Sequence, residues 1–244
     1  MILKDILYTI KEDLKKLRVY PDVSLRDNFV VDYAKYWQKR GRSNQAILTE
    51  WQKNRADHIS EMVAEGDVIV DVGCGDASLL KYLTDKTKSR GIGVDMSEPI
   101  LENAKKIGID TLTIDITKID NLGQLPEADY IMGLEILEHM PNPEEFIIAV
   151  RKKVRKGMIF SFPNTGYYAH RLRLLCGSFP LQWILHPSEH LRYWTVRDTR
   201  FWVHSLGFKM DKIILYKGVP LLNKIVPSLF GKGIIIKISA KDER

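Results

Sequence analysis

The sequence predicts an α/β protein whose mostly parallel sheet is covered by helices on both faces. Two observations carry this. From Asp67 onward, short apolar runs rich in Val, Ile and Leu alternate with segments of helical pattern, the rhythm of right-handed strand–helix–strand crossovers. Three successive runs also close on a carboxylate, Asp71, Asp95 and Asp115, which gathers acidic side chains at the carboxyl edge, where open α/β sheets bind ligands.

Composition sets the outer limits. The 244 residues, 45% hydrophobic and 28% charged, fit one large domain or one domain with appendages, which excludes disorder, collagen and coiled coil. Cys74 and Cys176 are too few for a disulfide framework or a thiolate metal site and fit a reducing compartment. Charges interrupt the apolar residues of the N-terminus, and no window approaches about 18 uninterrupted apolar residues. The expectation is a soluble, cytoplasmic protein. The net charge of +6 divides into +4 over residues 1–60, −6 over 61–160 and +8 over 161–244. Basic flanks attract anions, but no dense Lys/Arg run accompanies them, so no specific nucleic-acid partner is expected.

The elements follow in order. Ile2, Leu3, Ile6, Leu7, Ile10, Leu14 and Leu17 recur at helical steps and predict an opening amphipathic helix. A polar stretch with Tyr33, Tyr36 and Trp37 leads to a second helix over Trp51–Ala64, and residues 1–60 are read as a helical extension lying across the core as a cap. The main domain, 61–244, begins with a strand at Val68–Val72, a helix at Ala77–Thr84, a strand at Gly91–Asp95 and a helix at Pro99–Ile107. Strands at Thr111–Asp115 and Asp129–Gly133, a helix at Pro143–Arg155 and a strand at Gly157–Phe162 continue the rhythm. Residues 163–194, with Pro163, Pro180, Pro187 and three histidines, break it and are read as a substrate-covering insertion. A helix at Val196–Leu206 and strands at Phe208–Tyr216 and Ile234–Ile238 complete the sheet. Val219–Phe230 between them is a covering loop or a small apolar patch.

Asp71-Val-Gly73-Cys-Gly75 ends the first strand and runs into a helix, so its backbone turns tightly and offers N–H groups to a ligand. Such turns serve dinucleotides and S-adenosylmethionine alike. Two features favour the latter: Asp71 would repel a pyrophosphate but attract an ammonium group, and Ser78 stands where the third dinucleotide glycine would fall. Asp95 is placed to accept both ribose hydroxyls. Asp115 with Ile116 is placed to hold the adenine.

On these residues, with Gly93-Val-Asp95 and Leu134-Glu-Ile-Leu-Glu-His139, the chain resembles the class I S-adenosylmethionine-dependent methyltransferases over about residues 51–215. The resemblance implies a Rossmann-like, seven-stranded sheet whose last strand is antiparallel. It implies Gly73, Cys74, Gly75, Asp95, Met96, Asp115, Ile116 and Leu134 as cofactor contacts beside Asp71. It further implies, through the ubiquinone-biosynthesis O-methyltransferases, that Arg55 holds the cofactor carboxylate. The run Ser161-Phe-Pro-Asn164, Gly166, Arg171-Leu-Arg-Leu-Leu175, Gly177, Pro180, His190 and Thr195-Val-Arg-Asp198 is similar to the methionine-biosynthesis MetW subgroup.

Glu135, Glu138 and His139 are spaced to share one helix face. His139 suits a general base near neutrality, and Glu135 is the second catalytic candidate. The same Glu-x-x-Glu-His run is similar to a divalent-metal site in those O-methyltransferases, although no metal is assigned. Tyr167, Tyr168, His170 and His190 are the candidates for the acceptor pocket. Two functions remain: methyl transfer to a small O- or N-nucleophile, or a cofactor-binding accessory role toward a partner enzyme such as the acyltransferases with which that subgroup is associated. Peripheral contact with lipid through the basic flanks and Val219–Phe230 is a third, less favoured reading.

Overall fold

The computed structural model describes residues 2–17, 19–20, 45–182 and 189–241. Tyr33, Tyr36, Trp37, His186 and Pro187 lie outside the described residues. Seven strands form one sheet in the order β3-β2-β1-β4-β5-β7-β6. They are β1 (Val68–Val72), β2 (Arg90–Asp95), β3 (Asp110–Thr113), β4 (Ala128–Leu134), β5 (Val154–Pro163), β6 (Phe208–Tyr216) and β7 (Gly233–Ala240). The first five pair in parallel, while β7 lies antiparallel between β5 and β6.

Alternation along each strand builds a core on both faces. In β1, Val70 and Val72 join Val94, Ile131, Phe146 and Phe160 on one side, while Ile69 joins Met132, Ile159 and Ile235 on the other. Asp71 therefore projects to the face of Ile69, where α2 (Glu50–Ser60) buries Ala56 and Ile59. A capping box at Thr49, whose side chain accepts from the Gln52 N–H, starts α2. The same face carries α3 (Ser78–Thr87) and the buried Ala104 of α4 (Glu98–Lys106), and the opposite face carries α5 (Pro143–Val150) and α7 (Val196–Ser205).

Helix α1 (Ile2–Lys15) packs Ile6 and Ile10 with Tyr167, Val219 and Phe230 into a third, smaller cluster. Its anchor is polar. Asp13, 6% exposed, accepts the hydroxyls of Tyr167 at 2.6 Å and Tyr168 at 3.0 Å and pairs with Lys232 at 2.9 Å.

Several expected boundaries move. The helix expected to reach Arg155 stops at Val150, where the chain tightens into a 3₁₀ turn over Arg151–Lys153 and Val154 is drawn into pairing with Ala128. Strand β3 ends at Thr113 rather than Asp115, whose carboxylate instead closes a turn by accepting the N–H and hydroxyl of Thr117. The second helix ends at Ser60 rather than Ala64, short of the turn at Gly66. The break after β5 contains a helix, α6 (Tyr168–Leu175). The stretch Val219–Phe230 forms two short helices, α8 (Leu222–Ile225) and α9 (Pro227–Phe230), which bury Val219 and leave Leu221, Ile225 and Val226 exposed.

Candidate functional site

The glycine turn leaves β1 with Gly73 at φ +69° and Gly75 at φ +57°, values that favour a residue without Cβ. A Cβ at Gly73 would lie 2.6 Å from Ile136 Cγ2, so the turn is closed from above by the segment after β4. The N–H groups of Gly73 and Cys74 both donate to the Val94 carbonyl, at 2.7 and 3.0 Å. This ties the turn to β2 and brings Asp95 beside it. The Asp95 carboxylate accepts the Gly75 N–H at 3.0 Å and the Ser97 N–H at 2.9 Å, which fixes both oxygens at the sheet edge. Burial raises its pKa.

Asp71 lies beneath the turn. Burial pushes its pKa up to about 8, against the pull of the Arg55 guanidinium and with a push from Asp95. Arg55, 4% exposed, crosses from α2. It donates Nε–H to Tyr216 Oη at 2.8 Å and pairs with Glu135 at 3.1 Å. Acidic and phenolic neighbours raise its pKa despite burial. One guanidinium thus stands among Asp71, Glu135 and Tyr216, and it suits the carboxylate end of an amino-acid ligand.

The Glu135, Glu138, His139 face expected on a helix is not formed. Glu135 adopts φ +59°, outside any helix, and only Leu137–His139 makes a single 3₁₀ turn. Glu135 faces Arg55 and accepts from Ser161 Oγ at 2.9 Å, while its N–H donates to the Ser161 carbonyl. The structure brings His190 to the other two instead. Donor atoms of Glu138, His139 and His190 all lie within 4.8 Å of one another. Glu138 is buried with both carboxylate oxygens unpartnered among the described residues, and its pKa stands well above the usual range through burial and Glu135. His139 and His190 stack edge to face with centroids 4.7 Å apart. Burial and His139 push the His190 pKa down to about 3. The His139 Nδ1 lies 2.5 Å from the Glu189 carbonyl. A carbonyl only accepts, so that nitrogen carries the proton and Nε2 is the basic one.

The remaining expected residues are dispersed. Met96 is exposed at the edge beyond Asp95, Asp115 and Ile116 follow β3, and Leu134 ends β4. Tyr167 and Tyr168 are turned toward Asp13 of α1, and His170 packs against Tyr167. These three stand apart from the His139–His190 pair, in the third cluster.

Three contributors escaped sequence reasoning. Asp76 accepts the N–H groups of Ile47 and Ser78, and Ser78 Oγ donates to the Ile47 carbonyl, so residues before α2 are strapped onto the glycine turn. A carboxylate directly after Gly75 at a helix start was the available signal. Tyr216 and Ser161 reach the site across 161 and 26 residues from their partners, with no local pattern to announce them.

Residues 53–237 match the family described as "Methionine biosynthesis protein MetW". The chain belongs to this family. It is 32% identical over 117 residues to a "Ubiquinone biosynthesis O-methyltransferase" of Hydrogenovibrio crunogenus, covering 45% of this chain and 48% of that protein. It is 24% identical over 181 residues to a "Bifunctional methionine biosynthesis protein MetXA/MetW" of Rhodopirellula baltica, covering 66% of this chain and 28% of that protein. This MetW-family chain thus spans half or less of the length of these two relatives. Its fold is that of a "SAM dependent methyltransferase from Archaeoglobus fulgidus", with a TM-score of 0.59, 20% identity, and coverage of 84% of this chain and 99% of that one. It is therefore a Rossmann-like class I methyltransferase fold. Among the described residues, no helix is long and apolar enough to cross a membrane.

Proposed function

We propose that the chain binds S-adenosylmethionine along the carboxyl edge from Gly73 to Leu134 and transfers its methyl group to a small hydroxyl-bearing acceptor. The observation that carries this reading is Asp95, a buried carboxylate held by two backbone N–H groups with its oxygens at the edge. The residues fit the cofactor: Asp95 toward two ribose hydroxyls, Asp71 toward an ammonium and Arg55 toward a carboxylate. When bound, the cofactor supplies a methyl carbon on a sulfonium that departs as a neutral thioether. The chain's own work is alignment and exclusion of water. His139 Nε2 would take the proton that the acceptor hydroxyl gives up during transfer. The O-methyltransferase name of the Hydrogenovibrio relative supports a hydroxyl acceptor.

The test is transfer of a labelled methyl group with acceptor phenols and alcohols. His139→Ala is expected to lower kcat by about a hundredfold, the usual scale for loss of a general base, with cofactor affinity unchanged. Equal kcat would contradict the role of His139. Cofactor binding without turnover on any acceptor would favour the accessory role. The orphaned Glu138 carboxylate beside two imidazoles supports a second reading, in which Glu138, His139 and His190 hold a divalent cation. Loss of turnover on chelation, restored by metal, supports that reading, and unchanged turnover supports the base.

A further inference from the structure

A concave site lies beyond the carboxyl end of β5, lined by none of the residues assigned to the cofactor. It is an open cleft of about 290 Å³ lined by Arg171, Thr195, Val196, Arg197, Arg200 and Ser228. Three exposed arginines therefore line one small cleft. Arg197 and Arg200 stand at i and i+3 on α7, on one face, and neither is paired with a carboxylate among the described residues. Arg171 is aimed by its Nε–H, which donates to the Gly166 carbonyl at 2.7 Å. The carboxylate nearest in sequence, Asp198, is engaged by the N–H and Oγ–H of Thr195 at 3.1 and 2.7 Å.

The cleft is framed by buried polar structure. Asn164, fully buried, donates Nδ2–H to the carbonyls of Ser228 at 3.0 Å and Gly231 at 2.8 Å, and accepts the Gly166 N–H at 2.9 Å. Asn164 also bridges to Trp194, and the Thr165 N–H donates to the Trp194 carbonyl. One asparagine thus fixes the three strands of chain that carry Arg171, Ser228 and the start of α7. Like charges gathered around one cleft repel each other, and an anion between them relieves that repulsion. The planar forks of arginine match the oxygens of phosphate.

We propose that this cleft is a phosphate-binding site, taking a phosphate monoester either free or as a lipid headgroup. The inference goes beyond methyl transfer and does not rest on the cofactor site. It is tested by calorimetric titration of the full chain with inorganic phosphate and glycerol 3-phosphate, and by co-sedimentation with phosphatidylcholine vesicles with and without phosphatidic acid. The variants are Arg197→Ala/Arg200→Ala and, as a control on the opposite edge, Lys152→Ala. Phosphate affinity should fall at least about tenfold in the double variant, the scale of a lost charge-assisted contact, and hold in Lys152→Ala. Binding of the free phosphates alone identifies a soluble ligand, and binding of phosphatidic acid vesicles alone identifies a headgroup. Titration of S-adenosylhomocysteine into the same double variant separates the two sites and should be unchanged. Absence of binding in all arms, or equal binding by the double variant, would overturn the proposal.

Discussion

The Asp95 carboxylate is held by the Gly75 and Ser97 N–H groups, so the geometry needed for two ribose hydroxyls exists before any ligand arrives. Asp95→Ala should weaken S-adenosylhomocysteine at least about a hundredfold, since hydrogen bonds to a charged group contribute about 1.5–3 kcal/mol each. An unchanged circular dichroism spectrum would separate this loss from unfolding. Half-buried His170 yields a pH prediction. Its Nδ1 is buried and has no hydrogen-bond partner among the described residues. Burial, with Lys232 and Arg173, holds its pKa down to about 4 against the opposing pull of Asp13. The native state therefore keeps the ring neutral, while the unfolded chain takes up a proton near the ordinary value of 6.5. Its stability contribution is whole above that value and is lost as pH falls from 6.5 toward 4, by about 1.4 kcal/mol per pH unit. Urea unfolding at pH 7, 6 and 5 should show a flatter pH dependence in His170→Gln, and equal slopes would contradict the assignment. At this scale the sequence revealed the residues whose place follows from the strand ends, Asp71, Gly73, Gly75 and Asp95. It concealed Tyr216 and Ser161, which act only through tertiary approach, and it misdirected Glu135, because a helical spacing says nothing when the backbone takes φ +59°.

Among the elements, α1 is joined to the domain by the apolar contacts of Ile6 and Ile10 and by the buried Asp13 carboxylate. Asp13 accepts from two tyrosines and Lys232 at the centre of the third cluster. Asp13→Ala would strand these donors, at a cost of about 2–4 kcal/mol. Hydrogen exchange should then show the amides of Ile2–Lys15 losing protection ahead of the sheet, while Lys4→Ala, exposed on the same helix, should leave them unchanged. Protection equal to the native chain would contradict the anchoring role. Strands with continuous apolar runs were legible to within a few residues, and Phe208–Tyr216 has the expected ends. The edge strand β3, expected at Thr111–Asp115 and found at Asp110–Thr113, was legible to within two residues although all four of its residues are half-buried or exposed. Helix α5 ends early for a reason invisible in periodicity, the demand of β5 for Val154.

At the scale of the molecule, the parallel strands β3 to β5 and the antiparallel β7 leave one edge where the ends of β1, β2 and β4 converge. That convergence was readable from the alternation of strands and helices. The joining of distant segments around Asn164 and Arg55 was not, since no pairwise pattern links residue 164 with 231 or 55 with 216. The account turns on one ligand at that edge. Calorimetric titration of the native chain and of Asp95→Ala with S-adenosylhomocysteine, using NAD as the control, is the most direct test. The account predicts micromolar binding to the native chain, none to the variant and none of NAD. No binding to the native chain, or binding that survives in Asp95→Ala, would contradict it.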